Sequence, residues 1–310
     1  MEQKKSRLKK DLEFLLYSLA ESPLESFALT PRTENRSAGE EELSAQREII
    51  RGILKLIPQG HHPLNYIEEF PEPRGRLILR ERFANLLNSI KLRYDLRLLV
   101  KEADKDADLE MGSFLISRLG TDPSVFPEDF SRRLDELAEP LMDRVKRIQK
   151  HRKKLRVFLD YVYRELDFRG NARDYYDPRN SFLTELLDSR TGIPVSLSVL
   201  CLLLARRAGL PLQGINLPGH FILKYDSPEY STYIDPYNEG NLLSREECLQ
   251  FVARQGLEQD VSYLNPASNL GILKRMYRNL INLYSVRGDR AMAGQLRRHL
   301  NILEKSSINR

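Results

Sequence analysis

Apolar residues recur at three- and four-residue spacing along most of this chain, and the elements they predict are helices. Leu8, Leu12, Leu15, Leu16 and Leu19 make one face of a short amphipathic helix within residues 1–20. Residues 21–41 (ESPLESFALTPRTENRSAGEE) lose that period, are rich in Ser, Pro, Thr and Glu, and read as a flexible linker. Further helices are predicted over 43–57, 78–101, 109–119 and 128–137. The Pro/Gly-rich loop 58–75, the charged break DKDAD at 104–108 and the stretch GTDPSVFP separate them. Another long helix is expected over 140–166, its apolar side formed by Val145, Ile148, Leu155, Phe158 and Leu159. The first hundred residues are helical, charged and without chemical punctuation.

The pattern changes after residue 166. FRGNARDYYDPRNS (168–181) is rich in Gly, Asn, Asp and Pro and reads as ordered loop, with Tyr175 and Tyr176 expected to pin it to a core. A short helix over 182–189 leads through RTGIPVS into an almost wholly apolar helix, 194–208, which Gly209 ends as a C-cap. A helix apolar on all sides is buried in the middle of its domain. Residues 213–217 and 220–225 read as strand, with 231–235 as partner. Buried helix followed by antiparallel strands predicts an α+β fold, mostly helical, with the helix packed on a small antiparallel sheet.

The hairpin carries the clearest chemistry. If DSPE (226–229) is the turn, Tyr225 pairs with Tyr230, Leu223 with Thr232, and His220 stands opposite Asp235. Cross-strand Cβ atoms lie roughly 5 Å apart. At that separation a carboxylate accepts a hydrogen bond from an imidazole, fixes its tautomer and stabilises its cation. Gly219 is expected to leave room beside the ring. A structural His–Asp pair with no catalytic purpose satisfies the same spacing.

Composition narrows the classes. A chain of 310 residues accommodates two compact units, and a net charge of +5 is mild. The basic run KRIQKHRKKLR (146–156) has no aromatic stacking platform beside it and reads as a solvated helix face, so nucleic acid is not an expected partner. The start, MEQKKSRLKKDLEF, puts charges where a secretory signal needs an apolar core. The longest apolar stretch, VLCLLLA (199–205), is far short of the ~20 residues that span a bilayer. A soluble cytoplasmic protein is expected. Cys201 and Cys248 form no metal-ligand spacing, and His61-His62 lies in a Pro/Gly loop with nothing near to complete a ligand set, so neither metal nor cofactor is expected.

FRGN (168–171), YYDPRNS (175–181), GIPVSLS (192–198), GINLPGHF (214–221) and IDPYNEG (234–240) occur in one order. With the buried helix, Arg206 and AGLP (208–211), they resemble the transglutaminase-like superfamily, whose core is papain-like. More closely they resemble its bacterial branch named for Sir B-type regulators of invasion, whose members often end in tetratricopeptide-like helices. The resemblance spans about 109–303 and leaves 1–100 uncovered. It implies that His220 is the base and Asp235 its orienting carboxylate. The cysteine nucleophile expected at the start of the buried helix falls at Pro194, which has no nucleophilic side chain. Proline at a first helical position is structurally apt.

Two side chains are candidate substitutes. Ser196, still in the first turn, has free backbone N–H groups and the helix dipole nearby to favour developing negative charge. It equally fits a serine bonded to backbone near the helix start. Cys201 lies seven residues past Pro194, roughly 10 Å along the axis, and is expected to be a buried, inert thiol. Cys248 shows no link to the hairpin. Asn216, sharing strand parity with His220, together with Asn180 and Ser181 makes a candidate binding cleft; Asn180 equally fits a loop cap.

Residues 269–286 and 290–303 predict a helix pair turning at VRGD, which resembles one tetratricopeptide unit or is simply a hairpin closing the domain. The expected organisation is a helical extension over 1–105, a transglutaminase-like core over 106–268 and the helix pair over 269–305. The leading expectation for function is a protein-binding or regulatory domain without a cysteine nucleophile, taking a protein or peptide partner. The competing expectation is a hydrolase or acyltransferase using Ser196, His220 and Asp235. Oligomeric state is not legible.

Overall fold

The computed structural model describes residues 50–52, 54–66, 77–103, 106–120 and 124–305. The helix expected within 1–20, the linker at 21–41, the start of the 43–57 helix and part of the 58–75 loop lie outside these residues. Compactness divides the chain into residues 1–95 and 96–310.

In the first unit, 50–52 and 54–56 are helical, Pro63–Tyr66 is a 3-10 turn, and α1 (Leu77–Lys101) begins. Lys91 and Asp95, one helical turn apart, form an ion pair whose side chains are fully buried. The Gly60 amide donates to the same carboxylate at 3.1 Å, so the buried charge is compensated on two sides.

In the second unit α2 (Leu109–Ser117), α3 (Pro127–Val145) and α4 (His151–Leu159) precede the strand pair β1 (Arg169–Gly170) and β2 (Thr191–Gly192), with α5 (Leu183–Ser189) between them. α6 (Pro194–Arg207) follows and is buried from Pro194 through Ala205, as its all-round apolarity predicts. It packs against α3, β3 (Leu212–Ile215) and β4 (Ile222–Asp226). Gly209, at φ +63°, ends the helix in the left-handed conformation. With β5 (Ser231–Asp235) and β6 (Asn241–Leu243), β3 and β4 form an antiparallel sheet of order β3-β4-β5-β6. α7 (Arg245–Arg254), α8 (Asn269–Val286) and α9 (Arg290–Lys305) complete the unit. The architecture is α+β, mostly helical, with a small antiparallel sheet and flanking helices.

Several local expectations need correction. The 140–166 segment is not one helix: Pro140 lies inside α3, the chain breaks over 146–150, and α4 continues into a π-helical turn, Asp160–Glu165. The stripe Phe130, Leu134, Ala138, Leu141 and Val145 runs straight past the proline. An interior proline costs about 3 kcal/mol. Burying Leu141 and Val145 returns roughly 1.5–3 kcal/mol each, so burial outweighs the lost backbone bond. Tyr175 and Tyr176 do not pin their loop to the core; they are 40% and 65% exposed. β6 was not expected at all.

DKDAD is more than a break. Asp108 caps α2, accepting from the Glu110 and Met111 amides at 2.9 and 3.2 Å. Asp106 accepts from the Asn269 and Leu270 amides at 2.6 and 3.1 Å, capping α8 from 163 residues away. Arg206 Nη2 donates to Asn269 Oδ1 at 2.5 Å. The C-terminal helix pair is thereby held to the core within one compact unit.

Candidate functional site

The strand register differs from expectation by two residues. Asp226 pairs with Ser231 and Leu223 with Ile234, so the turn is 227–230 and Asp235 ends β5. Ser227 ties that turn, its Oγ donating to Tyr230 O at 2.9 Å and accepting from Tyr230 N at 3.1 Å. His220 lies before β4 and has no cross-strand partner. It nevertheless meets Asp235, Nε2 to Oδ2 at 2.9 Å. The connection ahead of β4, rather than strand pairing, brings the imidazole to the carboxylate. Gly219, at φ +74°, makes that turn; a Cβ there would also strike the Gln255 side chain.

The Asp235 carboxylate is nearly fully engaged. Oδ1 accepts from the Tyr237 and Asn238 amides at 3.0 and 3.3 Å, and Oδ2 from Asn238 Nδ2 at 2.7 Å besides His220. Burial pushes its pKa up, but the hydrogen bond and charge of His220, with the Asn238 donors, push harder the other way, leaving it below its ordinary value. The His220 ring stacks on Phe251, centroids 4.9 Å apart, and Arg254 lies over the Phe251 ring. With Nε2 given to Asp235, Nδ1 is the nitrogen left to act on a ligand.

The start of α6 is occupied differently from a nucleophile's seat. Pro194 opens the helix, and Ser196 is 0% exposed. Its Oγ donates to Asn180 O at 2.6 Å, lies 3.1 Å from Ile193 O and accepts from Ile193 N at 3.1 Å. Gly192 packs so closely on this hydroxyl that a Cβ would come within 2.8 Å of it. Ser196 thus fastens the 168–181 loop to the helix, and its hydrogen bonds go to backbone rather than to His220.

Asn180 is a loop cap. Its Nδ2 donates to Asp174 O and Tyr175 O at 2.6 and 3.3 Å, and its Oδ1 accepts from Asn171 Nδ2 at 2.9 Å. Ser181 Oγ and Asn216 Oδ1 are buried and, among the described residues, have no hydrogen-bond partner. Asn216 and His220 both lie outside the strands, so the parity that linked them does not apply. Cys201 is buried, 3.4 Å from Tyr163 OH, and burial pushes its thiol up to about 12. Cys248 is linked to the hairpin after all: it sits in an apolar cluster with Ile215, Leu217, Ile222 and Val252, and burial raises it to about 12. Neither is a thiolate at neutral pH. Among the described residues no group of three His, Cys, Asp or Glu side chains is placed to hold a metal ion.

Sequence reasoning missed Asn238 and Phe251. Asn238, three residues past Asp235, was accessible through the tendency of an aspartate to bond amides two and three residues on. Phe251 had no local signal, since it reaches His220 only through the packing of α7 beneath the hairpin.

Residues 128–278 match the family described as "Transglutaminase-like superfamily". A UPF0162 protein of Xylella fastidiosa (strain 9a5c) is 39% identical over 132 residues, 40% of this chain and 47% of that protein. One from Pseudomonas aeruginosa is 33% identical over 175 residues, 54% of this chain and 62% of the relative. F-box only protein 21 of Homo sapiens is 35% identical over 134 residues, 40% of this chain and 21% of that protein. The chain spans about half the length of the first of these relatives. No solved structure matches it significantly. Residues 128–278, which hold the buried helix, the antiparallel sheet and the His220–Asp235 pair, are thus similar to a transglutaminase-like domain.

Proposed function

We propose that this domain binds a protein or peptide partner in the cytoplasm and carries out no acyl transfer through a side-chain nucleophile. The observation that carries the reading is the engagement of the Ser196 hydroxyl by Asn180 O and the Ile193 backbone. Attack on an acyl carbon requires a hydroxyl within reach of the base, about 2.6–3.2 Å, and one not already committed to backbone. Cys201 and Cys248, both buried and protonated, supply no substitute. His220 and Asp235 then act as fixed polar groups that orient a ligand. That the similar region is only 21% of the human F-box only protein 21 supports a domain used within different chains. The order of the FRGN, YYDPRNS, GIPVSLS, GINLPGHF and IDPYNEG motifs supports assignment to the Sir B-type branch, with α8 and α9 as its tetratricopeptide-like end.

A fluorophosphonate probe tests the reading directly. No labelling of Ser196 is expected in the native protein. His220-dependent labelling, lost in His220→Ala, would instead establish the hydrolase or acyltransferase reading with Ser196, His220 and Asp235.

A further inference from the structure

The helix α8 carries a cation that, among the described residues, has no counter-ion. Arg275, on α8, has its Nε buried with no hydrogen-bond partner, and among the described residues no carboxylate pairs with its guanidinium. Neighbouring cations differ: Arg278 is bonded to Glu304 at 2.9 Å, and Arg179 to Asp177 at 2.6 Å. Burial holds the Arg275 guanidinium below its ordinary pKa, against a smaller opposing influence of Tyr175. A desolvated, unpaired guanidinium lacks what usually accompanies one, a planar anion accepting two parallel hydrogen bonds.

One tyrosine, Tyr175, lies near enough for its phenol and the Arg275 charge to influence each other. The 3-10 turn Pro178–Ser181 packs on α8, and the Arg275 charge acts on the Tyr175 phenol. Tyr175 meets Tyr176 edge-on at 5.4 Å and Tyr237 at 6.0 Å. Tyr237 in turn donates its amide to Asp235, which makes the belt continuous with the His220 pair. Exposed tyrosines beside an arginine are the residue types concentrated at recognition surfaces.

We propose that Arg275, beside Tyr175 in a belt that continues to Tyr176 and Tyr237, anchors a carboxylate of an extended peptide segment of the partner protein. The inference rests on the partner-binding reading above and names the partner's chemistry. A phosphate backbone fits less well, because it requires a row of free cations, whereas Arg278 and Arg179 are already paired.

The test uses fluorescence anisotropy on the full chain. Two fluorescein-labelled peptide pools are compared, degenerate at every position but the centre, which is Glu in one and Gln in the other. The Glu pool is expected to bind about tenfold more tightly. Arg275→Met should abolish that preference, Arg275→Lys should reduce it, and Arg278→Met should leave it unchanged. Tyr176→Ala, at a side chain too exposed to matter for folding, should weaken both pools and keeps the proposal testable if Arg275→Met unfolds. Equal affinity for the pools, absence of binding, an unchanged preference in Arg275→Met, or stronger binding of labelled oligothymidylate than of the Glu pool overturns the inference. Mass spectrometry of the recovered peptides separates the two readings. Cleaved or amide-exchanged peptide counts against the non-catalytic reading and leaves the role of Arg275 standing.

Discussion

His220 Nε2 lies 2.9 Å from Asp235 Oδ2, although the two residues are not cross-strand partners. The contact depends on Asp235 remaining charged inside the protein. Its folded pKa is below the ordinary 3.8: burial raises it, and His220 and Asn238 more than offset that. A depressed folded pKa means that the unfolded chain takes up the proton first. The carboxylate's contribution is therefore complete above about pH 4 and is lost as pH falls from there toward the folded value. Asp235→Asn is expected to lower stability by about 1–3 kcal/mol at neutral pH and to flatten the acid limb of the stability profile. Urea denaturation of both proteins between neutral pH and the acid limb checks this. Parallel acid limbs would show that the pair contributes nothing to folding.

Ser196 and Asn180 set up a second prediction. Removing the hydroxyl in Ser196→Ala leaves Asn180 O and Ile193 N short of a partner inside the protein. A loss of about 1–3 kcal/mol is expected, with the 168–181 loop loosened. Limited proteolysis should then cut within that loop faster than in the native chain. An unchanged digestion pattern would mean that other contacts, such as the Asn171–Asn180 bond, suffice to hold it.

Thiol chemistry gives a third. The chain has two cysteines, both buried and both with pKa pushed up to about 12. A disulfide-exchange reagent at neutral pH should titrate neither in the native state within minutes and both in denaturant. Rapid reaction of either native thiol would return it to the list of nucleophile candidates and undercut the proposed function.

What was legible in the sequence follows from how local each signal is. The buried helix announced itself through unbroken apolar residues from Val199 to Ala205, and Gly209 marked its end. The meeting of His220 and Asp235 was expected from a register that is wrong; His220 lies ahead of β4, and the turn at Gly219 rather than cross-strand pairing brings its ring to the carboxylate. The turn was misplaced since DSPE and SPEY are equally turn-like; Asp226 chose the ladder by pairing with Ser231. Pro140 was overread as a boundary, although the apolar stripe continuing through Leu141 and Val145 was the stronger signal. Cys248 and Phe251 were illegible, because nothing in REECLQF says that its helix will pack under the hairpin. Ser196 was read with both fates open, and its partner Asn180, 16 residues away, decided between them.

Asp106 leads to a prediction about the helix pair. Its carboxylate serves two amides at the start of α8, where the helix dipole favours negative charge. Asp106→Ala is expected to cost about 1–2 kcal/mol, and Asp106→Asn less. Hydrogen exchange should show early loss of protection at residues 269–272, with α6 unaffected. Equal loosening throughout the unit would show that this cap is not a local fastening.

Gly219 is the position where backbone conformation and site geometry are tied together most directly. Its φ of +74° is reached freely by glycine and with strain by any residue carrying a Cβ. A methyl group would also lie 2.7 Å from Gln255 Cδ, though that side chain is flexible and can move aside. The backbone strain cannot be relieved in that way. Gly219→Ala is therefore expected to cost about 1–2 kcal/mol. The chain has an alternative to bearing that strain: rotating the 217–220 turn, which swings His220 away from Asp235. Gln255→Ala combined with Gly219→Ala separates the two effects. If collision with Gln255 were the cause, the double variant would regain native stability; if backbone strain is the cause, it stays as low as the single one. Nitrogen NMR of the His220 imidazole reads the consequence for the site, since Nε2 keeps its hydrogen-bonded shift only while Asp235 is in reach. Retention of that shift together with full stability in Gly219→Ala would mean that the turn tolerates a side chain, and that the placement of His220 is fixed by its stacking on Phe251 instead.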